Sequence, residues 1–384
     1  MSDGPPALLV SSDFPPVPGG QSRYLSSVWA ALPPGAAVVL APALPGTEAY
    51  DAAAPLPVHR IRLPLGPGRL RQLARTALLL TRVEYLCRQG RVGSLHCGQV
   101  LSAGLVGWAC SRGGRRRRYY PYVHGADLLE FRHRLPWGPL LQRILGQAHR
   151  VVVNSRFSAA AVASCGVPPE RIVVIHPPVD MHRFAALPDR ERWRRSLGWE
   201  ASEVILSVGR LVARKGQDTV IRALPQIVAA VPSTRYVVVG SGPQERPLAE
   251  LARAVGVADR VEFRGFAAEE ELAGLYAAAD VFAMVSRHRV AAGDVEGFGI
   301  VYLEANAAGL AVVAGRSGGV EDAVVDGQTG LLVDPESVAE TGAALVHLLG
   351  DKELSARLAT QGRARAARDF APAVQAQRLW EACP

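Results

Sequence analysis

A chain of 384 residues with 49% hydrophobic content has room for two ordinary domains with buried cores, and this excludes a disordered polymer. The +8 formal charge is uneven: residues 1–150 hold 18 Arg, no Lys and 7 acidic residues, a net of +11, and the remainder is −3. A GC-rich coding bias explains the choice of Arg over Lys (Lys215 and Lys352 are the only lysines) but not the asymmetry, which points to an anionic partner, with an anionic phospholipid surface or a phosphorylated acceptor as the candidates.

Ala7–Val10 is a short apolar run ending in Ser-Ser-Asp, the pattern of a buried parallel strand entering a loop. Pro15–Gly20 is a Pro/Gly loop and Ser22–Leu32 a helix. Strands follow at 38–40 and 58–63, and a helix at 70–86 sets Leu70, Leu73, Ala77 and Leu78 against Arg71, Arg75 and Arg82. Strands at 119–124, 151–153 and 172–175 complete a first series. The stiff connector His176-Pro177-Pro178-Val179-Asp180 puts a domain boundary near 180–185. A second series runs through strands at 204–208, 236–239, 261–263, 281–285, 311–314 and 330–333, with helices such as 216–230 and 269–278 between them. Strands alternating with helices predict two doubly wound α/β domains, whose facing strand edges would form a ligand cleft.

The segment Asp294-Val295-Glu296-Gly297-Phe298-Gly299-Ile300-Val301-Tyr302-Leu303-Glu304-Ala305 carries the most chemistry. A Gly-Phe-Gly turn opens an apolar helix, so the first N–H groups, near Gly299 to Val301, point into a loop and suit a phosphate. Glu296 on the loop can accept from sugar hydroxyls, and Glu304 within the helix can accept from a ribose. A sugar-nucleotide needs all three.

Arg210 and Lys215 flank the loop after the first strand of the second series, where two cations can clamp a diphosphate and stabilise charge growing on a leaving group. Pro18-Gly19-Gly20 alone reads as an ordinary turn that permits close ligand approach. His124, at a strand end before Gly125, is either a sugar contact or a loop histidine. Ser317-Gly318-Gly319 and Asp326–Gly330 read as turns, with Ser317 near the donor sugar as the alternative. Arg115–Arg118 beside Tyr119-Tyr120, and the Arg-bearing face of 69–88, fit either phospholipid headgroups or plain solvent.

No His/Asp cluster or Asp-x-Asp pair suggests a metal, and no nucleic-acid motif appears. Five cysteines without a framework suggest reduced thiols in the cytoplasm; neither a signal peptide nor a spanning apolar run is present, so any membrane contact would be peripheral, on the inner face.

Gly209-Arg210…Lys215-Gly216, Gly240-Ser241-Gly242-Pro243, Phe263-Arg264-Gly265-Phe266 and Glu296-Gly297-Phe298-Gly299…Glu304-Ala305 occur in order. Together they resemble the donor half of family 4 retaining glycosyltransferases of the GT-B fold. The segment Ser286–Gly297 is similar to that of bacterial GDP-mannose-dependent phosphatidylinositol mannosyltransferases. The resemblance implies an acceptor domain at 1–182 and a nucleotide-sugar domain at 183–367, with a last helix (about 368–384) crossing back to the first. Arg210 and Lys215 would then hold the donor pyrophosphate, Glu296 the sugar hydroxyls with help from the N–H groups of Phe298, Gly299 and Ile300, and Glu304 the ribose. His124 would lie near the sugar's primary hydroxyl, Gly19 and Gly20 near the phosphates, and Phe266 and Val301 within the donor-binding set. Pro177-Pro178 departs from the Asn-Gly that many members carry there, which alters the hinge and not the chemistry. The small apolar loop 290–293 offers no reading of the acceptor.

The expectation is a metal-independent hexosyltransferase acting on a lipid-linked or polyol acceptor, with mannose from GDP-mannose as donor. The alternatives are a UDP-sugar enzyme acting on a soluble molecule or a polysaccharide, and a non-catalytic binder. A phosphorylase would need a lysine-anchored cofactor, and two lysines leave little room for one.

Overall fold

The computed structural model describes residues 5–64, 66, 68–112, 117–289 and 294–384, with only the backbone of Arg69. Arg115 and Arg116 of the basic run, and the loop 290–293, lie outside the described residues. Contacts divide the chain into two compact units, Met1–Pro178 with Pro372–Pro384, and Val179–Ala371.

The first unit is a seven-stranded parallel sheet made of β1 (Ala7–Val10), β2 (Ala37–Pro42), β3 (Val58–Ile61), β4 (Leu95–Cys97), β5 (Tyr119–Val123), β6 (Val151–Val153) and β7 (Ile172–Val174), in the order β3-β2-β1-β4-β5-β6-β7. The second is a six-stranded parallel sheet made of β8 (Glu203–Val208), β9 (Thr234–Val239), β10 (Val261–Gly265), β11 (Val281–Met284), β12 (Ala311–Gly315) and β13 (Leu331–Val333), in the order β10-β9-β8-β11-β12-β13. Both are doubly wound. The strand order reverses between β1 and β4 and again between β8 and β11, so each sheet has a crevice at the carboxyl ends of those strands where ligands bind.

Central strands are buried on both faces, which is why β8, β9 and β12 read as nearly unbroken apolar runs. β4 was not among the expected strands. Its sequence is only Leu95-His96-Cys97, yet it is fully buried and pairs with β1 and β5. Neighbours on both sides supply the ladder that local propensity does not.

The helix Pro372–Ala382 belongs to the first unit. The amide of His176 donates to Gln375 Oε1 at 2.9 Å, and Arg150 donates to the Ala382 carbonyl at 2.7 Å. Cys383, next in the chain, is buried. None of the five cysteines forms a disulfide, and all but the half-buried Cys165 are buried.

The helix Arg69–Arg88 buries only its C-terminal half, through Leu79, Val83 and Leu86. Its N-terminal half leaves Leu70 and Leu73 82% and 67% exposed, with Leu78 also in solvent. No helix among the described residues is long and apolar enough to cross a membrane.

Candidate active site

In the second unit the motif residues cluster on loops at the carboxyl ends of the strands. β8 runs into Gly209-Arg210 and a tight turn, Ala213–Lys215. Gly216 then takes φ +73°, and a Cβ there would stand 2.0 Å from the Val285 carbonyl oxygen, so only glycine lets this turn press against the end of β11. That contact drives Lys215 inward until it is 8% exposed.

The loop after β11 brings Glu296 to meet it. Lys215 Nζ donates to Glu296 Oε2 at 2.6 Å, and Arg214 Nη1 donates to the same oxygen at 3.0 Å. Arg214 Nε also pairs with Asp294 at 2.8 Å. Burial pushes the Glu296 carboxyl up, but Lys215 and Arg214 outweigh it and hold the carboxyl below its ordinary value. Lys215 shares that single carboxylate with Arg214, and burial draws its pKa below the usual lysine value. The backbone of Glu296 is buttressed as well. Gly319 N–H donates to the Glu296 carbonyl at 2.9 Å, so the turn at 317–319 supports the site. Ser317 Oγ is buried there without a hydrogen-bond partner among the described residues.

Phe298 packs into the core against Phe370, and Gly299 turns the chain with φ +88° into the helix Ile300–Ala307. A Cβ at Gly299 would meet the Tyr302 ring at 2.3 Å, a second place where only glycine fits. The Tyr302 N–H already donates to the Gly299 carbonyl at 3.1 Å. The amides of Ile300 and Val301 precede it in the helix's first turn, the positive end of its dipole.

Glu304 is buried at 2% exposure. Arg183 Nη1 donates to its Oε1 and Tyr276 OH to its Oε2, each at 3.2 Å. Phe266, on the loop after β10, is 80% exposed and presents an aromatic face at the same edge of the sheet. Arg210 is exposed on its loop and forms no ion pair among the described residues. The structure therefore joins Lys215 directly to Glu296, sets Arg210 on the same loop, and gives Glu304 partners of its own.

Sequence reasoning missed Arg214, Asp294 as its partner, and Arg183. Arg214 lay inside the quoted Arg210–Lys215 segment and was passed over for its two flanking cations. Arg183 is 121 residues from Glu304, and no spacing rule joins them.

In the first unit, Gln99 links the loops after β1 and β4: its Oε1 accepts from Ser12 N at 3.0 Å and its Nε2 donates to Ser11 Oγ at 3.0 Å. His124 follows β5 and is buried. Its Nε2 lies 2.9 Å from the Gly98 carbonyl, which can only accept, so Nε2 carries a proton and donates. Asp127 Oδ1 accepts from the His124 amide at 2.9 Å. Burial raises the pKa of both Asp13 and Asp127, and His124 opposes the rise in each. Gly19 takes φ +139° and precedes the helix Gly20–Ala30, so the expected glycine pair forms a helix entry on the loop after β1. Among the described residues no cluster of three or more His, Cys, Asp or Glu could hold a metal.

Family models agree with this architecture half by half. Residues 18–183 match the model for Glycosyltransferase Family 4, and residues 189–365 match that for Glycosyl transferases group 1. The GDP-mannose-dependent alpha-(1-6)-phosphatidylinositol monomannoside mannosyltransferase of Mycolicibacterium smegmatis is 38% identical over 371 residues, 93% of this chain and 92% of that one. The GDP-mannose-dependent monoacylated alpha-(1-6)-phosphatidylinositol monomannoside mannosyltransferase of Corynebacterium glutamicum is 31% identical, over 99% of this chain and 98% of that one. The crystal structure of Anabaena Alr3699/HepE in complex with UDP and glucose matches with a TM-score of 0.80 at 24% identity, over 98% of each chain, which shows a shared fold. Matched in order by both models, and along nearly its whole length by these transferases, the chain belongs to the family 4 glycosyltransferases and is a hexosyltransferase of the GT-B fold.

Proposed function

We propose that this enzyme moves mannose from GDP-mannose, with retention of configuration, to an inositol-bearing phospholipid at the surface of a membrane. The observation that carries the reading is the buried Lys215–Glu296–Arg214 cluster between the ends of β8 and β11, beside the first turn of Ile300–Ala307. It offers cations and amides to a diphosphate and a fixed carboxylate to sugar hydroxyls. Guanine, mannose and the lipid acceptor come from the mycobacterial and corynebacterial relatives.

In this reading the bond between the anomeric carbon and the diphosphate oxygen breaks, and negative charge gathers on the departing phosphate. Arg210, Lys215 and the amides of Ile300 and Val301 stabilise that charge more in the transition state than in the ground state, which lowers the barrier. The acceptor hydroxyl attacks on the face the phosphate leaves. Its proton passes to the leaving phosphate oxygen, so no protein nucleophile is required. Glu296 holds the sugar, Glu304 the ribose and Phe266 one face of the base. His124 is the first unit's group for the primary hydroxyl, with Gly19 and Gly20 approaching the phosphates through their backbone.

Lipid delivery is supported by the helix Arg69–Arg88, where exposed Leu70, Leu73 and Leu78 stand among arginines within the more basic half of the chain. Such a face suits an anionic surface, which would hold the enzyme peripherally on the inner leaflet.

The test is a panel of nucleotide-sugars with and without phosphatidylinositol mannoside in vesicles, each with and without EDTA. Slow hydrolysis of GDP-mannose, accelerated transfer with the lipid, and indifference to EDTA are the expected results. Preference for a UDP-sugar, or transfer only to soluble acceptors, would refute the reading.

A further inference from the structure

We infer that Arg183 is a positioning residue for nucleoside recognition: it aims the Glu304 carboxylate at the ribose and ties it to the loop bearing Phe266. This rests on, and deepens, the donor reading of Glu304.

Arg183 lies in the short turn Met181–Phe184 at the start of the second unit. One arm of its guanidinium, Nη1, donates to Glu304 Oε1 at 3.2 Å. The other arm, Nη2, donates to Glu269, the first residue of the helix Glu269–Ala278. That helix returns the contact, because its Tyr276 OH donates to Glu304 Oε2 at 3.2 Å. Each oxygen of a carboxylate that is 2% exposed is thus held by a group from outside its own helix. The Arg183 guanidinium is itself placed 5.4 Å from the Phe184 ring centroid, and Phe184 meets Tyr276 edge-on at 5.8 Å.

Three consequences follow from ordinary chemistry. A buried carboxylate is held in one orientation only when its oxygens are paired, and a fixed acceptor is what a vicinal diol needs. Glu269 stands three residues beyond Phe266, so one guanidinium sets the ribose acceptor and the aromatic loop together. The planar fork reaches two carboxylates at once, whereas a lysine at this site keeps the charge and loses the fork.

The experiment measures the affinity of GDP and of 2′,3′-dideoxy-GDP by titration calorimetry for the wild type, Arg183→Gln, Arg183→Lys and Glu304→Gln. Arg183→Gln should weaken GDP by about tenfold and the dideoxy nucleotide by no more than about twofold, and Arg183→Lys should fall between Gln and the wild type. In turnover assays KM for the sugar-nucleotide should rise in Arg183→Gln while kcat stays near the wild type. Equal weakening of both nucleotides, or wild-type affinity for GDP in Arg183→Gln, overturns the inference. Glu304→Gln separates it from its foundation. If that variant discriminates ribose like the wild type, the ribose assignment falls and this inference with it. If it loses discrimination while Arg183→Gln keeps it, only the role of Arg183 falls.

Discussion

Glu296 and His96 are both buried and both have lowered pKa values, which favours the charged carboxylate in one and the neutral imidazole in the other. Glu296 accepts from two cations through a single oxygen. Glu296→Gln keeps the shape and one acceptor but removes the charge. Turnover should drop by about a hundredfold or more. The second unit should remain folded and lose about 1–3 kcal/mol, since two cations then face a neutral amide. Steady-state kinetics and urea unfolding check the two halves of that statement. His96 is stacked on Tyr120 at 4.7 Å and meets Trp29 edge-on at 4.9 Å, and burial lowers its pKa from 6.5 to about 3. Between those values the unfolded chain binds the extra proton. The first unit therefore keeps its full stability above pH 6.5 and loses it as the pH falls toward 3. The loss at about pH 5 should be about 2 kcal/mol from this residue. Urea midpoints near neutrality and at about pH 5 should separate in the wild type, and the gap should narrow in His96→Phe.

At the scale of elements, the helix Arg69–Arg88 invites a direct measurement. Exposed Leu70 and Leu73 contact little of the protein, so Leu70→Asp with Leu73→Asp should leave the thermal midpoint nearly unchanged. Each buried leucine is worth about 1.5–3 kcal/mol, so binding to anionic vesicles should fall at least about tenfold. Raised salt should weaken the wild-type binding through the arginines. Unaltered vesicle binding in the double variant would remove this helix from the membrane reading. The elements also show what a sequence exposes. The strands rich in Val and Ile, such as β8, β9 and β12, were legible because burial on both faces demands unbroken apolar runs. β4 was not, because its three residues include a histidine and its register is imposed by β1 and β5. The same division holds at the site. Glu296 and Lys215 could be found from a turn and its neighbouring charges. Arg214 and Arg183 take their meaning from partners 82 and 121 residues away, which only the folded chain brings near.

For the whole molecule the telling fact is that the first unit is built from two separated stretches, Met1–Pro178 and Pro372–Pro384. Ending the chain at residue 371 removes Gln375 and the Ala382 carbonyl from their partners in that unit. The backbone amide of His176 and the Arg150 guanidinium would lose their acceptors, and Leu379 its burial. The expected result is a first unit destabilised by several kcal/mol, about 1–3 for each buried group left without a partner, and a second unit with unchanged protection. Hydrogen exchange followed peptide by peptide distinguishes the two, and equal loosening of both units would contradict it.

The split also orders events at the ribosome. Because the helix Pro372–Ala382 follows the second unit along the chain, the carboxyl-terminal unit has all its own strands before the first unit receives that helix. The half made earliest waits for that helix until the second unit has been made. A protein usually expected to fold from its beginning would here close its opening half only with residues that follow its second half.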